Sequence, residues 1–150
     1  MKKILHFLPV FLLLSCTSGA ALKNKPAITG TWKLISGTLI ESGDTLTTDY
    51  TQNISFIKII NESHFAFLQH DLNHGQDSLA VFVAGGGPYT LKDSTYTEHL
   101  EYCNDRGWEG HDFSFTVTVQ NDTLIQKGME VIADKGINRM NIEVYARVKE

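Results

Sequence analysis

Cysteine is scarce in this 150-residue chain: Cys16 and Cys103 are the two it has. Two thiols cannot supply the disulfide framework that holds many small secreted domains together. Long apolar runs are missing as well. The longest, residues 4–14, is interrupted by His6 and Pro9 and falls short of the ~20 residues a bilayer-spanning helix needs. There is no Lys/Arg cluster and the formal net charge is −4, which argues against binding a phosphate backbone, so no nucleic-acid partner is expected. No segment sustains an i, i+3, i+4 apolar pattern, which excludes a helical bundle, and no repeat or low-complexity block is present.

The usual site motifs are incomplete. His70-Asp71-x-x-His74 has zinc-like spacing for a helix, but it straddles a strand end and a glycine-containing loop, and it lacks the glutamate of His-Glu-x-x-His. His99 and Cys103 share one face of a strand, yet lie about 13 Å apart at strand rise and form no dyad. Gly85-Gly86-Gly87 precedes a strand rather than a helix, so it is no phosphate loop. No metal, no cofactor and no catalytic residue is assigned from these motifs.

What is present begins with Met1-Lys2-Lys3, a basic start, followed by the apolar run and Leu13-Leu14-Ser15-Cys16. That arrangement fits a secretory signal, and its end resembles the bacterial lipobox. The resemblance implies a signal peptide over residues 1–15, a diacylglyceryl thioether on Cys16, and a membrane partner reached through that lipid. Thr17, in place of the aspartate associated with inner-membrane retention, implies a cell-envelope protein of the outer membrane. Residues 16–27 are small, polar and aperiodic, a tether to a single domain at 28–150. Without Lys2 and Lys3, the 13 basic residues fall by two against 17 acidic ones, so the mature charge is about −6 and the lipid, not charge, must hold the protein at a membrane.

The domain is punctuated as an antiparallel all-β chain. Strands are expected over 31–40, 54–60, 64–70, 78–84, 89–91, 94–103, 112–119, 123–127 and 139–148. Gly85-Gly86-Gly87-Pro88 is expected as a bend or bulge, and residues 130–134 as at most one helical turn. Short connections favour a meander over a Greek key, hence a single antiparallel up-and-down β-barrel of about 8–10 strands. Gly30-Thr31-Trp32 opens the first strand and Arg147 sits on the last. Closure would bring the two strands together and lay the guanidinium over the indole, pairing Trp32 with Arg147. With these residues the chain resembles the lipocalin-like (calycin) group, in which a Gly-x-Trp on the first strand and a C-terminal arginine form such a pair.

Aromatic residues recur at alternate strand positions: Phe65, Phe67, Phe82, Tyr89, Tyr96, Tyr102, Phe113, Phe115 and Tyr145. In a barrel of this size such rings either line a space for one small ligand or fill it. Glu98, on the face of Tyr96 and Tyr102, would be the polar handle among them. The expected function is a lipid-anchored binder of a small apolar or amphipathic molecule. Two alternatives stand beside it: a packed barrel that recognises another protein, and an isomerase-type enzyme using Glu98.

Overall fold

The computed structural model describes residues 28–76 and 78–149. The expected signal peptide, Cys16 and the tether therefore lie outside the described residues. The strands are β1 (Gly30–Glu41), β2 (Asp44–Asp49), β3 (Ile54–Ile60), β4 (His64–Asp71), β5 (Phe82–Lys92), β6 (Thr95–Leu100), β7 (Tyr102–Cys103), β8 (His111–Gln120), β9 (Thr123–Ile132) and β10 (Ile137–Arg147), with 3₁₀ turns at Arg106–Trp108 and Ala133–Lys135. All pairings are antiparallel, and β10 pairs back onto β1. Eight strands thus close a barrel in the circuit β1-β3-β4-β5-β6-β8-β9-β10, while β2 and β7 stand off it. The all-β, up-and-down expectation holds.

Turn chemistry explains the meander. Ser42 and Gly43 join β1 to β2 with φ of 52° and 92°, and Asn121 and Asp122 join β8 to β9 with φ of 47° and 60°. Two positive φ values in a two-residue loop match the right-handed twist of the strands they connect.

Side chains alternate between interior and solvent. On β8, Phe113, Phe115 and Val117 are buried while Ser114, Thr116 and Thr118 are exposed. One end of the barrel is plugged. Trp32, Leu34, Phe65, Tyr96, Leu124 and Tyr145 are buried there, with Ile28 beneath Trp32 accepting the indole Nε1–H on its carbonyl at 2.7 Å. Trp32 faces Arg147 across the β1–β10 ladder, and the guanidinium carbon lies 4.0 Å from the indole centroid. Arg147 also donates from Nη1 to the Thr29 carbonyl at 2.9 Å. Gly30, at φ 138°, leaves room for that arginine: a β-carbon there would lie 2.6 Å from Nη1. Trp32 is wholly buried, whereas Arg147 keeps about a quarter of its side chain in solvent.

Several local expectations are corrected. The segment expected as a strand from residue 78 is loop until Phe82, because Asp71 accepts hydrogen bonds from the Gly75 and Val81 amides and ties off that loop. Gly85-Gly86-Gly87 does not end a strand but lies within β5, which changes its main partner from β4 to β6 at Pro88. The close approach requires glycine: a β-carbon on Gly85 would meet the Phe67 ring at 2.5 Å, and one on Gly87 would collide with the His99 carbonyl. Residues 130–132 extend β9 instead of forming a helical turn, and β2, over residues to which the sequence assigns no strand, is an added strand on β1.

Candidate functional site

The other half of the barrel is hollow. A cavity of about 360 Å³ opens between the β1–β2 hairpin and the loop bearing Trp108. Its wall is apolar in the middle, where Phe56 and Phe67 stack with centroids 6.0 Å apart and Phe113 and Phe115 face them from β8. Trp108 lines the cavity as well, its ring 5.7 Å from Phe113 and under the Arg139 guanidinium at 5.4 Å.

The floor between cavity and plug is charged. Lys58 on β3 is 3% exposed and donates from Nζ to Glu98 Oε1 at 2.7 Å and to Gln126 Oε1 at 3.1 Å. Glu143 Oε2 stands 3.8 Å from the same ammonium and accepts the Tyr145 hydroxyl at 2.8 Å. Tyr96 completes the floor on the plug side, its buried hydroxyl beside Glu98 but outside hydrogen-bonding geometry. Nearer the mouth, Glu130 accepts from Arg139 Nε and Asn141 Nδ2, both at 2.7 Å.

The electrostatics follow from one cation serving two carboxylates. Burial works against the Lys58 charge, but Glu98 and Glu143 outweigh it and hold its pKa above the usual lysine value. Burial pushes Glu98 above the ordinary carboxylate range, with Lys58 pulling it down and Glu143 pushing further up. Burial, then the neighbouring carboxylates, raises the phenols of Tyr96 and Tyr145 above their ordinary 10.0. Unfolded, these tyrosines ionise near their ordinary value, so above about pH 10 the unfolded state sheds protons that the folded state keeps. Their contribution to stability is intact below that pH and is lost as pH rises from it; Lys58 acts with the same sign. Urea midpoints measured between about pH 8 and about pH 11 should therefore fall, with the buried tyrosines' share of the phenolate absorbance appearing only together with unfolding. A midpoint unchanged over that range would contradict the buried phenols.

Of the residues singled out from the sequence, Phe67, Glu98, Phe113 and Phe115 line the cavity. Phe65, Tyr96 and Tyr145 point inward but belong to the packed plug, and Tyr89 lies at that end too, its hydroxyl donating to the Asn61 carbonyl at 2.8 Å. Phe82 and Tyr102 are on the outside, 62% and 66% exposed. For Phe82 the inward parity of β5 belongs to Val83, which lines the cavity. For Tyr102 the alternation breaks at Glu101, between β6 and β7, so that Leu100 and Cys103 point in and Tyr102 points out. Glu98 is not a free base: it is buried and engaged with Lys58.

Lys58, Gln126, Glu130, Arg139, Asn141, Glu143 and Trp108 escaped the sequence reading. The signal for Lys58 was there, a lone cation at the centre of Ile54-Ser55-Phe56-Ile57-Lys58-Ile59-Ile60 on the face of Phe56 and Ile60. A strand that places a lysine between two buried apolar residues must give it partners inside.

Together these features define the class: a closed antiparallel β-barrel, plugged at one end by a tryptophan–arginine pair and hollow at the other above a buried ion-pair floor. No protein-family model matches the chain, and no curated protein sequence matches it.

Proposed function

We propose that this is a lipid-anchored envelope protein of lipocalin-like type that holds one small amphipathic molecule in the open half of its barrel. The observation that carries the reading is the 360 Å³ cavity, which combines an aromatic wall with a few convergent polar groups. That volume and that lining are characteristic of small-molecule sites. The Gly30, Trp32 and Arg147 arrangement supports the lipocalin-like part of the reading, because it closes the barrel at the end away from the cavity. Ile28 lies at the plugged end, so a tether attached there would leave the mouth on the side away from the anchor.

Nile red added to the chain from Thr17 onward, which carries every described strand and core residue, should bind with a dissociation constant of about 1–10 μM. Phe115→Ala should change that affinity while lowering stability by about 3 kcal/mol or more, since the ring is 3% exposed and packed against Gly128. The reading fails if the dye finds no site and native mass spectrometry of protein from its own host shows no copurified mass. The anchor has a separate test: Cys16→Ala should abolish fatty-acid labelling and leave an uncleaved precursor, and normal labelling of that variant would remove the lipid from the account.

A further inference from the structure

The charges on the cavity wall are unequal. Among the described lining residues, Glu98, Glu130, Glu143 and the rim residue Asp105 are acidic, and Lys58 and Arg139 are the cations facing them. Most of these charges are already matched. Glu130 is bonded on both oxygens, by Arg139 and Asn141, and Asp105 pairs with Lys135 at 3.2 Å from outside the cavity. Lys58 is committed to Glu98 and Gln126.

Glu143 is what remains. Its Oε2 takes the Tyr145 hydroxyl and looks toward Lys58 from 3.8 Å, too far for a hydrogen bond. Its Oε1 receives no hydrogen bond from any described residue, and the side chain, 15% exposed, lines the cavity. A largely desolvated carboxylate that shares its one cation, Lys58, with the closer Glu98 is short of positive charge and attracts more.

We propose that the ligand is an amphiphile with a protonated amine. Its apolar body lies against Phe56, Phe67 and Phe113, and its ammonium donates to Glu143 Oε1. The proposal rests on the binder reading above and names the ligand's polar group. An anionic amphiphile of the same shape meets carboxylates at every level of the wall, and both cations that could receive it already hold glutamates.

Octylamine, octanol and octanoate share one tail and differ in head group. Titrated at neutral pH into the chain from Thr17 onward, with the change in tryptophan emission (Trp108 lines the cavity, Trp32 lies in the plug) as the readout, octylamine should bind about tenfold more tightly than octanol, with octanoate weakest. Glu143→Gln should bring octylamine down to the octanol value and leave octanol unmoved, because the amide carbonyl still accepts the Tyr145 hydroxyl. Glu130→Gln, at a carboxylate whose partners are complete, should keep the preference. Octylamine binding no better than octanol, or a preference that survives Glu143→Gln, overturns the amine assignment while the binder reading stands. Failure of all three probes together with Nile red removes the binder reading itself. Should Glu143→Gln lose its near-ultraviolet circular dichroism, the order of the three probes on the unaltered chain decides alone.

Discussion

Replacing Lys58 with methionine should destabilise the barrel by about 3–5 kcal/mol, although the new side chain is of similar length and more apolar. The loss comes from what is left behind. Glu98 is 6% exposed and receives its short hydrogen bond from the Lys58 ammonium, and Glu143 looks toward the same cation. Without it, two carboxylates share a buried floor with no positive charge between them. One answer open to the protein is protonation. Glu98 is already raised above the ordinary carboxylate value of 4.5, and removing Lys58 drives it higher. In the window from about 4.5 up to that raised value the folded variant binds a proton that the unfolded chain does not, so its stability rises as pH falls through the window. The gap between Lys58→Met and the unaltered chain, measured by urea unfolding, should therefore be widest near neutrality and narrow towards about pH 5. Adding Glu98→Leu to Lys58→Met should recover much of the loss, since a buried pair exchanged for apolar residues is often neutral. A cost below about 1 kcal/mol for Lys58→Met at neutral pH would mean that water reaches the floor and solvates the carboxylates.

That ion pair also shows why the barrel could be read from the sequence while its floor could not. Alternation on β8 is unambiguous because polar and apolar residues take opposite faces, and the glycine–tryptophan opening and the terminal arginine sit where closure needs them. On β3 and β9 the contrast is blurred or inverted. Ile59, Ile125, Met129 and Val131 are substantially exposed, while Lys58, Gln126 and Glu130 are buried. A period-two reading that puts apolar residues inside turns such strands over. The partners of Lys58 lie 40 and 68 residues along the chain, on strands that meet it only across a closed barrel, so no local window contains the pair. The aromatic face around Tyr102 failed for a different reason: a one-residue break at Glu101 reverses everything after it. The glycines of β5 punctuate a sequence by habit, but here they are inside a strand because the neighbouring chain comes too close for a side chain.

Trp32→Ala should cost about 3–5 kcal/mol, with the damage confined to the plugged end. The indole is completely buried, its N–H is bonded to the Ile28 carbonyl, and its face is covered by Arg147. Removing it opens a cavity beneath a guanidinium and frees the first residues of β1 from the strand that closes the circuit. Arg147→Ala should cost less, about 1–2 kcal/mol, because the arginine is partly exposed and contributes a cation–π contact and a hydrogen bond to Thr29 rather than core volume. Arg147→Lys should recover little of this loss, since a lysine can neither stack flat on the ring nor reach the Thr29 carbonyl with the same geometry. The two residues face each other in the β1–β10 register, so their effects should not add: a double-mutant cycle should return a coupling of about 0.5–2 kcal/mol. Strict additivity would reduce the pair to two neighbours that happen to be close. Binding of Nile red by the fraction of Trp32→Ala that stays folded should be unaltered, because the Lys58 floor separates the plug from the cavity. A change in affinity without a change at that floor would mean that the two halves of the barrel are mechanically coupled, and the plug would then set the shape of the site as well as close the circuit.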